Sequence, residues 1–402
     1  MSNNVNDQKK INNTKPRRTI TTALKLLAAL CVLSIVPLAN YNIDPSVLYT
    51  ANRESAPELR AVDIMQKGEN VAVLKANYNE RLLRREYILR LESAPETLVL
   101  GSSRGALITT DMLGLARGKL FNASVAGGEL EDAIGFYGLL DMHGLAPKKL
   151  LLSLDPWTVN DNFSVVRYQE SVGDGYYHYA HNRMGLTVPE SITQIKPLYD
   201  PASPKNGGFF SLSRETQLSL FSIPYFQKSI QYFFSEDYNL YKEISATSNI
   251  VGDTGIVHYD GSYSYPLDYQ LADAATATER ALRTIPNILG LEDYDVLRGR
   301  KYDELKSFLE SVKEDGVDVQ LVMFPICSYL YDYMGENANR AHYSNFFLSE
   351  SMFRELAAEL DVPIYGSFNP HSLGCDMNNF YDGYHLRDAS VAEILSATIV
   401  VQ

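Results

Sequence analysis

Residues 97–105 read TLVLGSSRG, and the interpretation of the whole chain starts from this stretch. Four strand-forming residues, Thr97–Leu100, run into Gly101 and then into two serines, Ser102 and Ser103. Open α/β sheets keep their ligand sites at the carboxyl ends of strands, so the pattern predicts two serines on a turn at a sheet edge. Serines on such a turn also cap the following helix, and the stretch alone leaves both roles open.

A serine becomes a useful nucleophile only beside a base, and the segment Tyr381–Arg387 (YDGYHLR) contains a candidate. Asp382 and His385 are three residues apart, so a single turn can bring the carboxylate to the imidazole. The carboxylate would hold the ring tautomer and stabilise the imidazolium ion while the ring reaches a serine. A histidine taken alone is more often structural, so this prediction depends on the pairing.

The rest of the chain alternates strands and helices, which is typical of a doubly wound sheet. The predicted strands are Thr97–Leu100, Lys119–Asn122, Lys149–Leu154, Val317–Phe324 and Val362–Tyr365. The predicted helices are Glu58–Gln66, Tyr78–Leu91, Glu129–His143, Asp303–Glu314, Phe346–Leu360 and Ala389–Val400. The fold class is therefore α/β, with a flavodoxin-like doubly wound and mainly parallel sheet in residues 97–402. Periodicity degrades in a tyrosine-rich stretch, which predicts a large insertion at about 158–300.

Two further strand ends carry polar or glycine-rich residues. Asn122–Gly128 (NASVAGG) follows the second predicted strand, and Asp155–Asp161 (DPWTVND) follows the third. Glycines allow a ligand oxygen to approach backbone N–H groups, as a tetrahedral oxyanion requires. Because the carboxyl ends of parallel strands share one edge of the sheet, we expect these segments to lie near the serines.

The N-terminal region has the charge pattern of an exported, membrane-bound protein. Residues 1–19 form a basic tail, Ile20–Ala39 is mostly apolar, and the next Lys or Arg after this run is Arg53. This asymmetry predicts a cytoplasmic N-terminus, a single transmembrane helix at 20–39 and a body outside the cytoplasm. A cleaved signal peptide is the alternative. Residues 40–96 are predicted to form a linker and a helical stalk.

The charge of the 402-residue chain excludes some partners. Its formal net charge is −13, and no basic stripe follows the N-terminal tail, which argues against nucleic acid as a partner. The predicted helix Tyr78–Leu91 is locally basic. Its arginines predict a solvated face, or alternatively a face turned toward a membrane; they are Arg81, Arg84, Arg85 and Arg90.

The four strand-end segments resemble the four blocks of the SGNH (GDSL-type) hydrolase superfamily. Those blocks are a Gly-Asp-Ser turn, a glycine after the second strand, an Asn after the third, and an Asp-x-x-His before the last helix. The resemblance covers residues 97–161 and 303–402, about half of the chain. It implies that Ser103 is the nucleophile and that Asp382 and His385 activate it. It also implies that the N–H groups of Ser103 and Gly127 hold the oxyanion.

Two blocks depart from the pattern of that superfamily. Ser102 stands where the first block has Asp, and Asp155 stands near the place where the third block has Asn. Asn160 comes a few residues later and is the candidate for the third oxyanion donor. Arg104 could bind an anionic substrate or pair with Asp155, and we favour the ion pair, because an arginine on a turn is commonly structural.

The Gly-Ser-Ser variant, the N-terminal anchor and the insertion together resemble one branch of the superfamily. That branch contains extracytoplasmic proteins of teichoic acid D-alanylation and of alginate-type O-acetylation. The resemblance implies a serine acyltransferase that acylates, and in particular acetylates, a cell-envelope or exopolysaccharide polymer beside a multi-spanning membrane acyltransferase. A carbohydrate esterase or deacetylase of the same fold, or a non-catalytic polymer-binding or assembly protein, is the alternative. We expect no cofactor and no metal.

Overall fold

A computed structural model of the chain describes residues 25, 33–43, 57–73, 78–163, 166–193, 214–234, 245–247, 254–291 and 293–399. The chain divides into two compact units. Unit 1 comprises residues 1–56 and 199–238, and unit 2 comprises residues 57–198 and 239–402. The predicted basic tail and most of the predicted transmembrane segment, residues 20–24 and 26–32, lie outside the described residues. Within the described part of the chain, every helix is too short or too polar to cross a membrane.

The strands of unit 2 form two sheets. In chain order the described strands are β1 (Asn70–Val73), β2 (Thr97–Leu100), β3 (Leu120–Asn122), β4 (Lys149–Leu154), β5 (Ser245–Thr247), β6 (Gly255–Val257), β7 (Tyr263–Ser264), β8 (Asp318–Met323) and β9 (Ile364–Gly366). The larger sheet has the order β3-β2-β4-β8-β9, and all of its neighbours are parallel. Numbered along the chain this order is 2-1-3-4-5, which is compatible with a doubly wound fold of the flavodoxin kind. The predicted α/β class and parallel sheet are confirmed, and each predicted strand agrees within two residues at both ends.

The parallel sheet forms where the sequence has apolar runs without alternation. In β4, Leu150, Leu152 and Leu154 point to one face and Leu151 to the other, and all four are buried. Such continuous apolar strands are typical of a parallel sheet that is covered on both faces. Leu98 of β2 pairs with Leu150, so the centre of the sheet is also the centre of the core.

The described helices of the two units agree with all six predicted helical segments. In chain order they are α1 (33–43), α2 (Pro57–Gln66), α3 (Glu80–Ile88), α4 (Leu130–Met142), α5 (Gly173–Tyr177), α6 (Arg214–Ser219), α7 (Ile223–Phe233), α8 (Leu267–Gln270), α9 (Ala274–Leu282), α10 (Arg300–Glu314), α11 (Ser328–Gly335), α12 (Ser344–Glu359) and α13 (Asp388–Ile399). The insertion contacts the sheet domain closely at α4 and α5. A Cβ atom on Gly138 would overlap the carbonyl oxygen of Gly175, so glycine is required where these two helices meet.

The smaller sheet was not predicted from the sequence. It is antiparallel, has the order β5-β1-β6-β7, and joins the predicted stalk to the predicted insertion. Its strands are two to four residues long, too short to show a period of two. The pairing of Asn70 with Thr247 also joins residues that are far apart in sequence. The segment from Pro57 onward is therefore part of unit 2 and contains a strand as well as helices.

The prediction of a solvated arginine face on α3 is wrong for most of that face. Arg81 makes a bidentate ion pair with Asp132, with both nitrogen–oxygen distances at 2.7 Å. Arg85 pairs in the same way with Asp174, at 2.6 and 2.7 Å. Arg84 is buried as well. Buried charges are tolerated when they are paired, and the acidic partners of Arg81 and Arg85 come from α4, the next helix along the chain, and from α5 of the insertion.

Candidate active site

The turn after β2 has a geometry that requires glycine. Gly101 has a φ of 150°, and a Cβ atom there would lie 2.8 Å from the Cβ of Ser153 on β4. Its place against the neighbouring strand therefore excludes any side chain. The turn buries Ser102 and leaves Ser103 half buried. Two adjacent serines thus differ in their access to solvent.

Ser103, His385 and Asp382 are in hydrogen-bond contact, although 282 residues separate the serine from the histidine. Ser103 Oγ lies 2.8 Å from His385 Nε2. His385 Nδ1 lies 2.9 Å from Asp382 Oδ2 and 3.0 Å from Asp382 Oδ1. This is the arrangement of a nucleophile, a base and an orienting carboxylate. The structure therefore brings together all three residues that were predicted to be catalytic.

The Asp382 carboxylate is held in its ionised form. Burial on its own raises the pKa of Asp382, but the imidazole of His385 and the local hydrogen bonds outweigh burial and lower the pKa to about 2. Those bonds come from the backbone N–H groups of Tyr384, at 2.8 Å, and of His385, at 2.9 Å. A carboxylate that is charged at neutral pH can stabilise an imidazolium ion beside it.

The loop that carries Asp382 and His385 is fixed at both its base and its tip. An antiparallel bridge between Phe380 and Leu386 closes the base. At the tip, the N–H of Cys327, just before α11, donates to the carbonyl oxygen of Gly383 at 3.0 Å. A Cβ atom on Gly383 would lie 2.7 Å from Cδ1 of Leu330, so the tip fits closely against α11. The position of the imidazole is therefore determined by the fold.

A second polar group near the turn is fully buried. The guanidinium of Arg104 donates to Asp155 Oδ1 at 3.0 Å, to the carbonyl oxygen of Pro325 at 2.8 Å and to that of Phe324. The hydroxyl of Ser102 bonds to Asp155 and accepts the N–H of Arg104 at 3.2 Å. Burial raises the pKa of Asp155, and Arg104 opposes that rise. The favoured ion pair is formed, and it joins the carboxyl ends of β2, β4 and β8.

The second predicted block packs directly onto the serine turn. The side-chain amide of Asn122 donates to the carbonyl oxygens of Gly105 and Ile108, both at 2.9 Å. The N–H of Val125 donates to the carbonyl oxygen of Gly101 at 3.2 Å. Asn122 is completely buried, so its amide replaces water as the partner of these carbonyls. The turns after β2 and β3 are therefore held together.

Two backbone N–H groups, one on the turn after β2 and one on the turn after β3, are without a hydrogen-bond partner in the described part of the chain. Gly127 has a φ of 56°, and a Cβ atom on Gly128 would lie 2.5 Å from the carbonyl oxygen of Gly101. The glycine pair thus allows close approach between the two turns. In the described part of the chain, the N–H groups of Ser103 and Gly127 make no hydrogen bond. These are the two groups predicted to bind an oxyanion.

Asn160 has a different role in the structure. Its Nδ2 donates to the carbonyl oxygen of Gly290 at 2.9 Å, and its Oδ1 accepts the N–H of Asn162 at 3.0 Å. Asn160 is buried, and its amide joins two parts of the insertion. Among the described residues, no hydrogen bond joins the Asn160 side chain to Ser103 or His385. Its role as a third oxyanion donor stays a prediction, without a supporting contact.

Tyr265, from the insertion, is a site residue that the sequence analysis did not identify. Its ring centroid lies 5.4 Å from that of His385 and 5.1 Å from that of Tyr381. It also stacks on Tyr269, with the centroids 5.3 Å apart. Burial and the nearby charge of Asp382 raise the pKa of Tyr265, so its phenol stays neutral. The insertion is rich in tyrosine, but no local pattern in its sequence indicates which tyrosine contacts the histidine.

The described residues contain no cluster of three His, Cys, Asp or Glu side chains placed to hold a metal ion. The charged groups around Ser103 are instead paired with one another, as Asp382 with His385 and Arg104 with Asp155. No protein-family model matches the chain, and no curated protein matches it significantly. What the chain does must therefore be inferred from its own geometry and from the motif resemblance.

Proposed function

We propose that this chain is an extracytoplasmic serine acyltransferase that O-acylates a cell-envelope or exopolysaccharide polymer through an acyl-Ser103 intermediate. The observation that carries the proposal is the 2.8 Å contact between Ser103 Oγ and His385 Nε2, with Asp382 bonded to the other ring nitrogen. The resemblance of the strand-end motifs to SGNH hydrolases supports the same roles for these residues. The narrower resemblance to proteins of alginate-type O-acetylation favours acetyl as the acyl group, and D-alanyl is the alternative that the same branch offers.

The first half of the reaction forms the acyl-enzyme. His385 Nε2 takes the proton of the Ser103 hydroxyl while Oγ attacks the carbonyl carbon of an acyl ester. Negative charge develops on the carbonyl oxygen, where the N–H groups of Ser103 and Gly127 can donate to it. The tetrahedral intermediate collapses, and the imidazolium ion gives its proton to the departing alcohol. Asp382 keeps its negative charge throughout and stabilises the imidazolium ion.

The second half transfers the acyl group. A hydroxyl of the acceptor polymer loses its proton to His385 and attacks the acyl-Ser103 carbonyl, which restores the serine. Water can take the place of that hydroxyl, and the outcome is then hydrolysis. Transfer and hydrolysis therefore use the same residues and differ only in which hydroxyl reaches the acyl-enzyme. Tyr265, half buried beside His385, is the aromatic side chain that could contact a sugar ring of the acceptor.

The proposal includes a membrane location and a partner. The basic tail at 1–19, followed by the apolar run Ile20–Ala39, supports a single-pass anchor with the N-terminus in the cytoplasm. An acyl donor outside the cytoplasm must be supplied across the membrane. A multi-spanning membrane acyltransferase, as the resemblance implies, would supply it.

Covalent labelling tests the proposed nucleophile. The purified full chain is treated with a fluorophosphonate or an arylsulfonyl fluoride, and the adduct is located by peptide mass spectrometry. We expect modification at Ser103, none in Ser103→Ala and strongly reduced modification in His385→Ala. Ser102→Ala is the matched control, because Ser102 is buried next to the nucleophile and its removal should leave labelling of Ser103 intact. A folded wild-type chain without any adduct at Ser103 would contradict the proposal.

Two further measurements separate the alternatives. In cells that lack the protein, Ser103→Ala and His385→Ala should fail to restore polymer acylation. If both variants restore it as well as wild type does, the chain is a binding or assembly protein. With purified protein and an acetyl ester donor, acetyl transfer to a saccharide identifies a transferase. Release of acetate to water alone identifies an esterase.

A further inference from the structure

In the described helices of unit 1, two polar side chains are fully buried while many large apolar side chains are exposed. Asn40 and Ser229 are completely buried there. By contrast, Phe221 and Phe234 are 61% and 78% exposed. Nine of the eighteen exposed large apolar side chains among the described residues belong to these three short helices and their connection; they are Leu33, Ile35, Leu38, Tyr41, Leu218, Phe221, Ile223, Phe233 and Phe234. A water-exposed unit would show the opposite distribution.

The buried polar side chains satisfy backbone groups at a break in the helix. The chain turns between α6 and α7, and carbonyl groups at the end of a helix lack intrahelical partners. Asn40 Nδ2 donates to the carbonyl oxygens of Leu220, at 2.9 Å, and of Ser219 and Ser222, both at 3.2 Å. Ser229 Oγ donates to Asn40 Oδ1 at 3.2 Å. These carbonyls therefore have partners without water, which is a requirement in hydrocarbon, where an unsatisfied group costs several kcal/mol.

The position of these helices along the chain indicates what covers them. The helix α1 contains the last seven residues of the apolar run Ile20–Ala39, and in it Leu33, Ile35 and Leu38 are exposed. Asn40 follows that run directly and makes the contacts with the connection between α6 and α7. The insertion thus contacts the chain at the point where the predicted transmembrane helix would leave the bilayer.

We propose that α6, α7 and the connection between them lie in the outer leaflet of the membrane, beside the end of the N-terminal anchor. This inference rests on the anchor in the proposed function. At 11 residues α7 is about 16 Å long, too short to cross a hydrocarbon core of about 30 Å. It also exposes the polar side chains Gln227, Lys228 and Gln231, which a membrane-spanning helix would have to place in hydrocarbon. A helix of this kind lies in the plane of the interface, with its apolar side chains among the acyl chains.

Quenching by brominated lipid tests the location of these side chains. The full-length protein is reconstituted into phosphatidylcholine vesicles with or without bromine on the acyl chains. Its one tryptophan, Trp157, is buried and serves as a constant background. Tryptophan is added in separate variants at Phe221, Phe234 and Ile35. Leu271→Trp is the matched control, because Leu271 is 74% exposed but belongs to unit 2.

We expect bromine to lower the emission of Phe221→Trp, Phe234→Trp and Ile35→Trp roughly twofold relative to wild type, and to leave Leu271→Trp unchanged. Quenching in Ile35→Trp without quenching at Phe221 and Phe234 overturns this inference and leaves the anchor intact. The emission of Phe221→Trp or Phe234→Trp could instead depend on the protein-to-lipid ratio and not on bromine. In that case a second copy of the protein covers this surface, and the inference is also wrong. Absence of quenching at all three positions would contradict both the anchor and this inference. The catalytic proposal is tested separately, by the labelling of Ser103, which does not depend on the membrane.

Discussion

Two polar networks start from neighbouring serines and differ mainly in how deeply they are buried. The buried network is Ser102, Arg104 and Asp155, and the relay is Ser103, His385 and Asp382. In the buried network the Arg104 and Asp155 side chains are 2% and 3% exposed. In the relay the His385 and Asp382 side chains are 17% and 18% exposed. Both networks contain a serine, a carboxylate and a nitrogen-containing side chain, although only the imidazole of His385, and not the guanidinium of Arg104, can accept a proton near neutral pH.

The difference shows how burial assigns a role. A charge pair that is completely removed from water must be fully bonded, and breaking it costs several kcal/mol, so the buried network holds three strand ends together. A serine and an imidazole that remain partly accessible can exchange a proton with a ligand, so the relay is suited to chemistry. We therefore expect mutations in the two networks to have different effects. Changes in the relay should affect rate, and changes in the buried network should affect stability.

The largest effect is expected from removing the nucleophile. Ser103→Ala should lower kcat/KM toward an activated acetyl ester by about 10⁴-fold or more, equivalent to about 5 kcal/mol of transition-state stabilisation. Its free energy of unfolding should stay within about 0.5 kcal/mol of wild type, since the side chain is half buried. Ester kinetics and urea denaturation measure the two quantities. A variant that keeps activity within tenfold of wild type would show that the relay is not catalytic.

Removing the charge of Asp382 should be the next largest change. Asp382→Asn keeps the shape of the side chain but no longer holds the His385 tautomer, so kcat should fall by about 10³- to 10⁴-fold. KM should change little, because the residue does not contact the acyl group in the proposed mechanism. Steady-state kinetics across substrate concentrations separate the two parameters. An unchanged kcat would show that Asp382 has a purely structural role, like that of Asp155 in the buried network.

Breaking the buried ion pair should lower stability instead. Arg104→Met leaves the Asp155 carboxylate buried without its partner, and the free energy of unfolding should fall by about 3–5 kcal/mol. The double variant Arg104→Met/Asp155→Leu removes both charges and should recover a large part of that loss. Urea denaturation of Arg104→Met, of Asp155→Leu and of the double variant gives the coupling energy between the two side chains. Additive losses in this cycle would show that the pair does not act as a unit.

Acid should affect the relay through the low pKa of Asp382. Because the folded-state pKa of about 2 is below the ordinary value of 3.8, the native state binds this proton less readily than the unfolded state. The ionised carboxylate therefore contributes about 2 kcal/mol of stability above pH 4, and that contribution is lost as the pH falls from about 4 to 2. Unfolding free energies of wild type and Asp382→Asn at pH 6, 4 and 3 measure it. The difference between the two proteins should shrink with acid, and a constant difference would contradict the assignment.

The smallest effect is expected at the neighbouring serine. Ser102→Ala removes one hydrogen bond to Asp155 and the acceptor for the N–H of Arg104, and should cost about 1–2 kcal/mol of stability. Its ester kinetics should stay within a few-fold of wild type. Comparison with Ser103→Ala then gives the clearest contrast between the networks, since the two positions are adjacent. A loss of activity as large as that of Ser103→Ala would erase the contrast.

Much of the sheet and the central residues of the site could be predicted because their signals are local. The strand Lys149–Leu154 is an apolar run that ends at Asp155-Pro156, and a parallel sheet covered on both faces is the usual place for such a run. The serines after β2 and the Asp-x-x-His motif before α13 follow the rule that sites lie at the carboxyl ends of strands. The smaller sheet gave no comparable signal, because its strands are very short and their partners are distant in the chain.

By itself the sequence determined which segments become strands of the main sheet and which residues meet at its carboxyl edge, because apolar periodicity and turn residues act over a few positions. The motif resemblance indicated Ser103 as the nucleophile, and the tertiary structure shows the contact itself, in which Ser103 meets His385 and Ser102 is buried. Only the tertiary structure decided that the arginines of α3 are buried, that Tyr265 packs on the imidazole and that Asn160 bonds to Gly290. Each of these contacts joins residues from separate elements, so burial and pairing are properties of the packed chain.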